Sequence, residues 1–249
     1  MKNISFISPF CNLLKSLTST SILDRARKKG IVEYNYLDLF SYSDDPHNRI
    51  DDYPYGGGEG MILQAQPIFS AYDSIIDRDA KTRVVFPTPD GEKLSTKLSL
   101  DLSKEDNIIF ICGHYKGVDQ RVRDELVTDE ISIGDYILTG GELPACVITD
   151  SIVRLIPGVI NNIESAKTDS FYEDLLDNAH YTRPEVFRDL KVPEILLSGN
   201  HKEIEKWKLN SRIDKTKKRR KDLYKKYLKN NNQEVEKKWI KLWMLYLNI

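Results

Sequence analysis

The sequence predicts an α/β domain on a largely parallel sheet, followed by a small basic helical domain. The first 160 residues alternate strand-like with helix-like segments, the order expected of parallel strands joined by crossover helices. Within them Ile108-Ile109-Phe110-Ile111 is a continuous apolar run, as a strand covered on both faces requires. Charge is segregated as well. Residues 201–249 hold 16 Lys/Arg against 6 Asp/Glu, whereas the preceding 200 hold 21 against 32. A basic tail on an acidic body suits a polyanionic partner such as nucleic acid, although a lysine-rich solvated helix face has the same composition.

Each element has its own signal. Residues 3–7 form a short apolar strand. In residues 31–37, Val32, Tyr34 and Tyr36 alternate with Ile31, Glu33 and Asn35, the period-two pattern of a strand. Residues 66–77 have helical spacing. Residues 82–86 are a strand centred on Val84 and Val85, residues 95–102 a helix, and residues 107–112 the buried strand. A further helix carries Pro144 in its first turn, where a missing N–H costs little. Its positions Val147, Ile148, Ile152, Leu155 and Ile156 predict one broad buried face, and Pro157-Gly158 predicts its end. The polar residues 161–169 mark a boundary. The expected domains are 1–160, a linker 161–170, and 171–249. From Phe171 onward the pattern reads as helical, ending in a stripe of Trp239, Leu242, Trp243 and Tyr246 expected to dock on the protein.

Composition excludes several classes. The 249 residues are 40% hydrophobic and 30% charged, as in globular proteins. No apolar run reaches the ~18 residues of a membrane span, and the first ten residues lack the form of a secretion signal. Cys11, Cys112 and Cys146 are odd in number and far apart, so a disulfide framework is not expected and a cytoplasmic location is. His47, His114, His180 and His201 show no metal-ligand spacing.

Three loops follow predicted strands or precede the apolar helix. They are residues 87–91 (Pro87-Thr88-Pro89-Asp90-Gly91), 113–119 and 132–144. Ligands of open α/β sheets bind where loops leave the carboxyl ends of strands. In the third loop, Gly134, Gly140 and Gly141 allow the backbone to approach a ligand, and Ile133, Tyr136, Ile137 and Leu138 supply apolar walls. A tight connection that binds nothing fits the glycines equally. There is no G-x-G-x-x-G, and Gly56-Gly57-Gly58-Glu59-Gly60 lacks the Lys-Ser/Thr of a phosphate loop. A nucleoside without a phosphate chain, such as S-adenosylmethionine, fits better. Four glycines in five residues read as a lid or as close backbone approach to a substrate. Arg154 also reads as an i,i+4 partner of Asp150, and Asp169 as a helix-entry residue beside a capping box at Ser170–Glu173.

At these residues the chain resembles the bacterial tRNA (guanine-N1)-methyltransferase family, TrmD. The resemblance covers almost the whole chain and is weakest after about residue 213. It rests on Asp52-x-Pro54-Tyr55-Gly56-Gly57-Gly58-x-Gly60-Met61 and Ser132-Ile133-Gly134-Asp135-Tyr136-x-Leu138-x-Gly140-Gly141-Glu142-Leu143-Pro144. It continues through Ile156-Pro157-Gly158-Val159, His180-Tyr181-Thr182-Arg183-Pro184-Glu185-Val186 and Leu196-Leu197-Ser198-Gly199-Asn200-His201.

The resemblance implies a knotted, SPOUT-type parallel-sheet domain with a trefoil, a feature no pattern in the residues shows. It implies a homodimer with active sites between subunits, tRNA as partner, and no membrane association. S-adenosylmethionine would be held by Pro87, Thr88, Gly113, Ser132, Ile133, Gly134, Asp135, Tyr136, Ile137, Leu138, Gly140, Gly141 and Pro144. Substrate contacts would come from Asp52, Tyr55, Gly58, Tyr115, His180 and Asn200. Asp169 matches the family's general base, and Arg154 its partner at the guanine. The implied reaction is methylation of guanosine N1 at tRNA position 37. Its alternatives are a knotted methyltransferase acting elsewhere on RNA and an inactive tRNA-binding protein. These residue types suit the chemistry. Guanine N1 carries a proton that a carboxylate must take as the methyl arrives, and a cation stabilises the charge that develops toward O6. One departure stands out. His114 and Lys116 occupy the arginine and acid positions of the family's Gly-Arg-Tyr-Glu-Gly loop. A lysine neither ligates magnesium nor pairs with a sulfonium, so magnesium is a cofactor of doubtful standing, and Lys116 becomes a candidate phosphate contact.

Overall fold

The computed structural model describes residues 1–75, 81–160 and 169–231. The chain divides into two compact units, Met1–Ile163 and Glu164–Ile249. In the first, β1 (Lys2–Ser8) and β2 (Val32–Asp38) precede a short antiparallel pair, β3 (Asp51–Asp52) and β4 (Ile62–Leu63). Then come β5 (Thr82–Lys93), β6 (Asn107–Ile111) and β7 (Asp129–Ser132). Apart from the short pair, these strands form one parallel sheet in the order β2-β1-β6-β5-β7. Among the described residues six α-helices pack on it: α1 (Cys11–Thr18), α2 (Ser21–Lys28), α3 (Ala65–Asp73), α4 (Thr96–Leu102), α5 (Gln120–Leu126) and α6 (Glu142–Val153).

Alternation along the strands sends side chains to two cores. Ile4, Phe6, Val85, Ile108 and Phe110 face one, with Leu14 of α1, Leu23 of α2, Leu102 of α4 and Ile148 and Ile152 of α6. Ile7, Val84, Phe86, Ile109 and Ile111 face the other, with Ile68 of α3 and Val122 of α5. Phe6 stacks on Phe110 at 5.3 Å between ring centroids and on Tyr36 at 5.8 Å. Burial of each such side chain contributes about 1.5–3 kcal/mol. The sheet therefore holds the ends of β5, β6 and β7 rigidly, and the candidate loops leave from there.

Several expectations change. Strand β5 runs on to Lys93, beyond the expected end at residue 86. Helix α3 ends at Asp73; residues 76 and 77 of the expected helix lie outside the described residues. Helix α6 ends at Val153, before Pro157, because Leu155, Ile156 and Val159 bond three residues back and tighten the chain into turns. Val147, expected in the core, is 48% exposed. The boundary residues 161–168 and the stripe Trp239, Leu242, Trp243 and Tyr246 lie outside the described residues.

The second unit is not helical from Phe171. Phe171 and Asp174 adopt left-handed backbone, which ends any helix there, so the capping box at Ser170–Glu173 opens onto turns. A two-residue hairpin follows, joining β8 (Val186–Phe187) to β9 (Leu190–Lys191). Both of its central residues, Arg188 and Asp189, have positive φ, as a primed hairpin turn needs. Among the described residues of this unit the helices are α7 (Glu194–Leu197), α8 (His201–Arg219) and a further helix over 221–231. Thr216 anchors α8: its hydroxyl is buried and accepts from the Leu176 N–H at 2.8 Å. Among the described residues no helix is long and apolar enough to cross a membrane.

Candidate active site

The first loop is a bulge in β5. Pro87 and Glu92 both register with Ile131 of β7, so the residues between them are pushed out of the ladder. Gly91 makes this possible, since a Cβ there would lie 2.4 Å from the Glu130 carbonyl carbon. The excursion is braced by charge. Arg123 donates to Asp90 at 2.8 Å and to Glu130 at 2.7 Å, and the Thr88 hydroxyl donates to Asp90. Arg123, then Thr88, hold the Asp90 carboxyl below the usual carboxylate range.

The second and third loops interlock. The Gly141 N–H donates to the Gly113 carbonyl at 2.8 Å, and His114 pairs with Gly140 in an isolated bridge. Any Cβ on Gly141 would sit 2.8 Å from the Cys112 Cα and the Gly113 nitrogen. Beneath them, the Glu142 side chain is 4% exposed and accepts from the Ser8 hydroxyl at 2.7 Å. Its other oxygen is 3.5 Å from His114 Nε2. A carboxylate buried among such partners avoids the cost of an orphaned charge. Burial, with Glu142 adding to it, pushes the Cys146 thiol up to about 11 and the Cys112 thiol well above its ordinary value. Burial thus favours the thiol over the nucleophilic thiolate at both.

The three loops enclose one cleft of about 560 Å³, a volume suited to a small ligand. Pro87 and Thr88 line it from the bulge, and Gly113 from the end of β6. Ser132, Ile133, Gly134, Tyr136, Ile137, Leu138, Gly140, Gly141 and Pro144 line it from the long loop. Asp135 does not; it is exposed and pairs with Lys93 at 3.0 Å. Phe86 and Arg123 also line the cleft, and sequence reasoning missed both. Phe86 had a signal, as the last apolar residue before Pro87 at a strand end, whereas Arg123 on α5 had none.

The remaining candidates are spread out. Tyr115 lines the cleft in a left-handed conformation, φ +59°. The Asp52 carboxylate accepts from the Tyr53 N–H at 2.8 Å. Tyr55 is fully exposed and Gly58 has φ +124°. In the second unit, His180 Nε2 lies 2.7 Å from Asp177, and Asn200 caps α8 by accepting from the Glu203 N–H at 3.4 Å. Arg154 follows the last turn of α6 in the first unit, its N–H donating to the Asp150 carbonyl at 3.2 Å. Asp169 belongs to the second unit, where its carbonyl accepts from the Tyr172 N–H at 3.5 Å. The expected catalytic pair is thus divided between the units.

Comparison with known proteins agrees across nearly the whole chain. A family model described as "tRNA (Guanine-1)-methyltransferase TrmD" matches residues 1–226. A "tRNA (guanine-N(1)-)-methyltransferase" from Anoxybacillus flavithermus is 48% identical over 241 residues, covering 96% of this chain and 97% of the relative. Proteins of the same name from Bacillus subtilis and Listeria monocytogenes are each 46% identical, covering 96% of this chain and 98% of theirs.

Proposed function

Because the chain belongs to the tRNA (guanine-1)-methyltransferase TrmD family, we propose that it methylates guanosine N1 at position 37 of tRNA, with S-adenosylmethionine as donor. It is a methyltransferase acting on guanine N1 in tRNA, as the names of its relatives state. The observation that carries the finer reading is the cleft. Glycine backbone at Gly113, Gly140 and Gly141 and apolar walls at Ile133, Ile137 and Leu138 converge there, in the form a flat heteroaromatic ring needs. Cβ atoms at Gly113, Gly140 and Gly141 would each meet another part of the protein at 3.0 Å or less, so glycine is what lets the loops pack closely enough to form this cradle.

When bound, the donor supplies an electrophilic methyl group on a sulfonium. The protein does the rest. Asp169 would take the N1 proton as N1 bonds to the methyl carbon and the bond from that carbon to sulfur breaks, the sulfur keeping the electron pair. Arg154 stabilises negative charge drawn toward O6. The loops hold the reacting groups in line.

The trefoil knot is part of this proposal, supported by the return of the Gly140–Gly141 backbone onto Gly113 and His114. The homodimer is supported by apolar side chains left outside the core, Leu143 and Val147 on α6 with Phe10 and Leu13, 41–50% exposed. The basic run Lys215–Lys221 of the second unit is assigned to the tRNA backbone, where binding weakens steeply with salt. A cytoplasmic site of action follows from the tRNA substrate.

Labelled donor and tRNA transcripts test the reading. Methyl incorporation is expected with guanosine at position 37 and not when that base is replaced; equal incorporation in both would refute the position. Asp169→Ala is expected to lower turnover by at least about a hundredfold with donor affinity unchanged, as calorimetry would report. Loss of donor binding in that variant would contradict its role as base.

A further inference from the structure

We infer that Lys116 anchors the α-carboxylate of the donor's amino-acid tail, an inference that rests on the cleft being the donor site. Among the described residues three basic ones line that cleft: His114, Lys116 and Arg123. Two of them are already engaged. His114 faces the buried Glu142, and Arg123 is held between Asp90 and Glu130. Among the described residues Lys116 has no carboxylate partner. It is therefore the cation of the cleft left over for a ligand anion.

The lysine is also seated. Its N–H donates to the Met61 carbonyl at 3.0 Å, and Leu63 reaches back to the Gly117 carbonyl at 3.0 Å, stitching the loop to the 61–63 segment. Its stem runs so close to Gly60 that a Cβ there would meet Cγ at 3.0 Å and Cε at 3.4 Å. The backbone hydrogen bonds fix the lysine at the cleft while its side chain stays exposed, so the ammonium is accessible to a ligand. The donor carries one carboxylate, and the ammonium of a lysine that lines the cleft is its chemical complement.

Sign matters in choosing the probe. A lysine that binds the carboxylate also repels a sulfonium, so the two effects oppose each other in S-adenosylmethionine itself. S-adenosylhomocysteine keeps the tail and lacks the sulfonium charge; 5′-methylthioadenosine lacks the tail. Calorimetric titration of both into the full-length wild type, Lys116→Gln and Lys116→Arg separates the contributions. Lys116→Gln is expected to weaken S-adenosylhomocysteine by about tenfold and to leave methylthioadenosine unchanged, with Lys116→Arg restoring most of the loss. Equal loss for both nucleosides, or no loss for either, overturns the inference. So does unchanged S-adenosylhomocysteine affinity beside a shallower salt dependence of tRNA binding, which assigns the lysine to phosphate. Wild type that binds neither nucleoside would overturn the donor-site reading itself, and this inference with it.

Discussion

Two glycine-rich segments of this protein use the same residue for opposite reasons. In the long loop of the cleft, a Cβ on Gly141 would lie 2.8 Å from the Cys112 backbone, and one on Gly140 would lie 2.2 Å from His114 Nε2. At Gly56, Gly57 and Gly58 a Cβ would meet nothing within 4 Å, yet all three have positive φ. The first segment needs glycine because space is missing. The second needs it because the backbone is turned where L-residues rarely go. A packed glycine loop is a mould, and an open one is a run of turns.

Substitution should divide the two segments. Gly141→Ala forces backbone apart and should cost about 1–3 kcal/mol or more of stability. It should also lower nucleoside affinity on the order of a hundredfold, because small misplacements at a site are costly. Calorimetry with S-adenosylhomocysteine and a thermal melt measure both. Gly140→Ala meets the ends of the His114 and Glu142 side chains, which give way more easily than backbone. A loss of roughly tenfold is expected, partly recovered in the double variant with His114→Ala, as coupling between contacting residues predicts. Strictly additive losses would mean that the two residues do not press on each other. Gly57→Ala should cost only about 1 kcal/mol of conformational strain and leave nucleoside affinity intact. A drop in affinity equal to that of Gly141→Ala would erase the distinction between the packed and the open segment.

Much of the sheet could be read from local pattern. Residues 107–111 are apolar at every position but the first, and β2 alternates Val32, Tyr34 and Tyr36 inward. Pro144 sits in the first turn of α6 as its fixed φ allows. The misreadings share a cause. Pro87, Pro89 and Gly91 punctuate like a loop, but pairing with β7 carries the strand past them to Lys93. Strand β7 has four residues and begins with two acids, so its periodicity is too short to see. The hairpin at Arg188-Asp189 has none of the Asn-Gly chemistry that announces such turns. Val147 belongs to the apolar face of α6 by spacing, but the sheet reaches only one side of that helix.

The amino-acid order alone determined the crossover pattern of the sheet, the separation of acidic and basic halves and the motifs that reveal the family, because periodicity, charge and glycine placement are local properties. Folding decided which of those residues meet. Gly141 reaches Gly113 across 28 positions of chain, Glu142 is satisfied by Ser8 at the opposite end of the same unit, and Arg123 locks a bulge that carries Asp90. Such pairings depend on close packing between distant segments, and no local pattern encodes them. The cleft exists only after the sheet has brought the loops together.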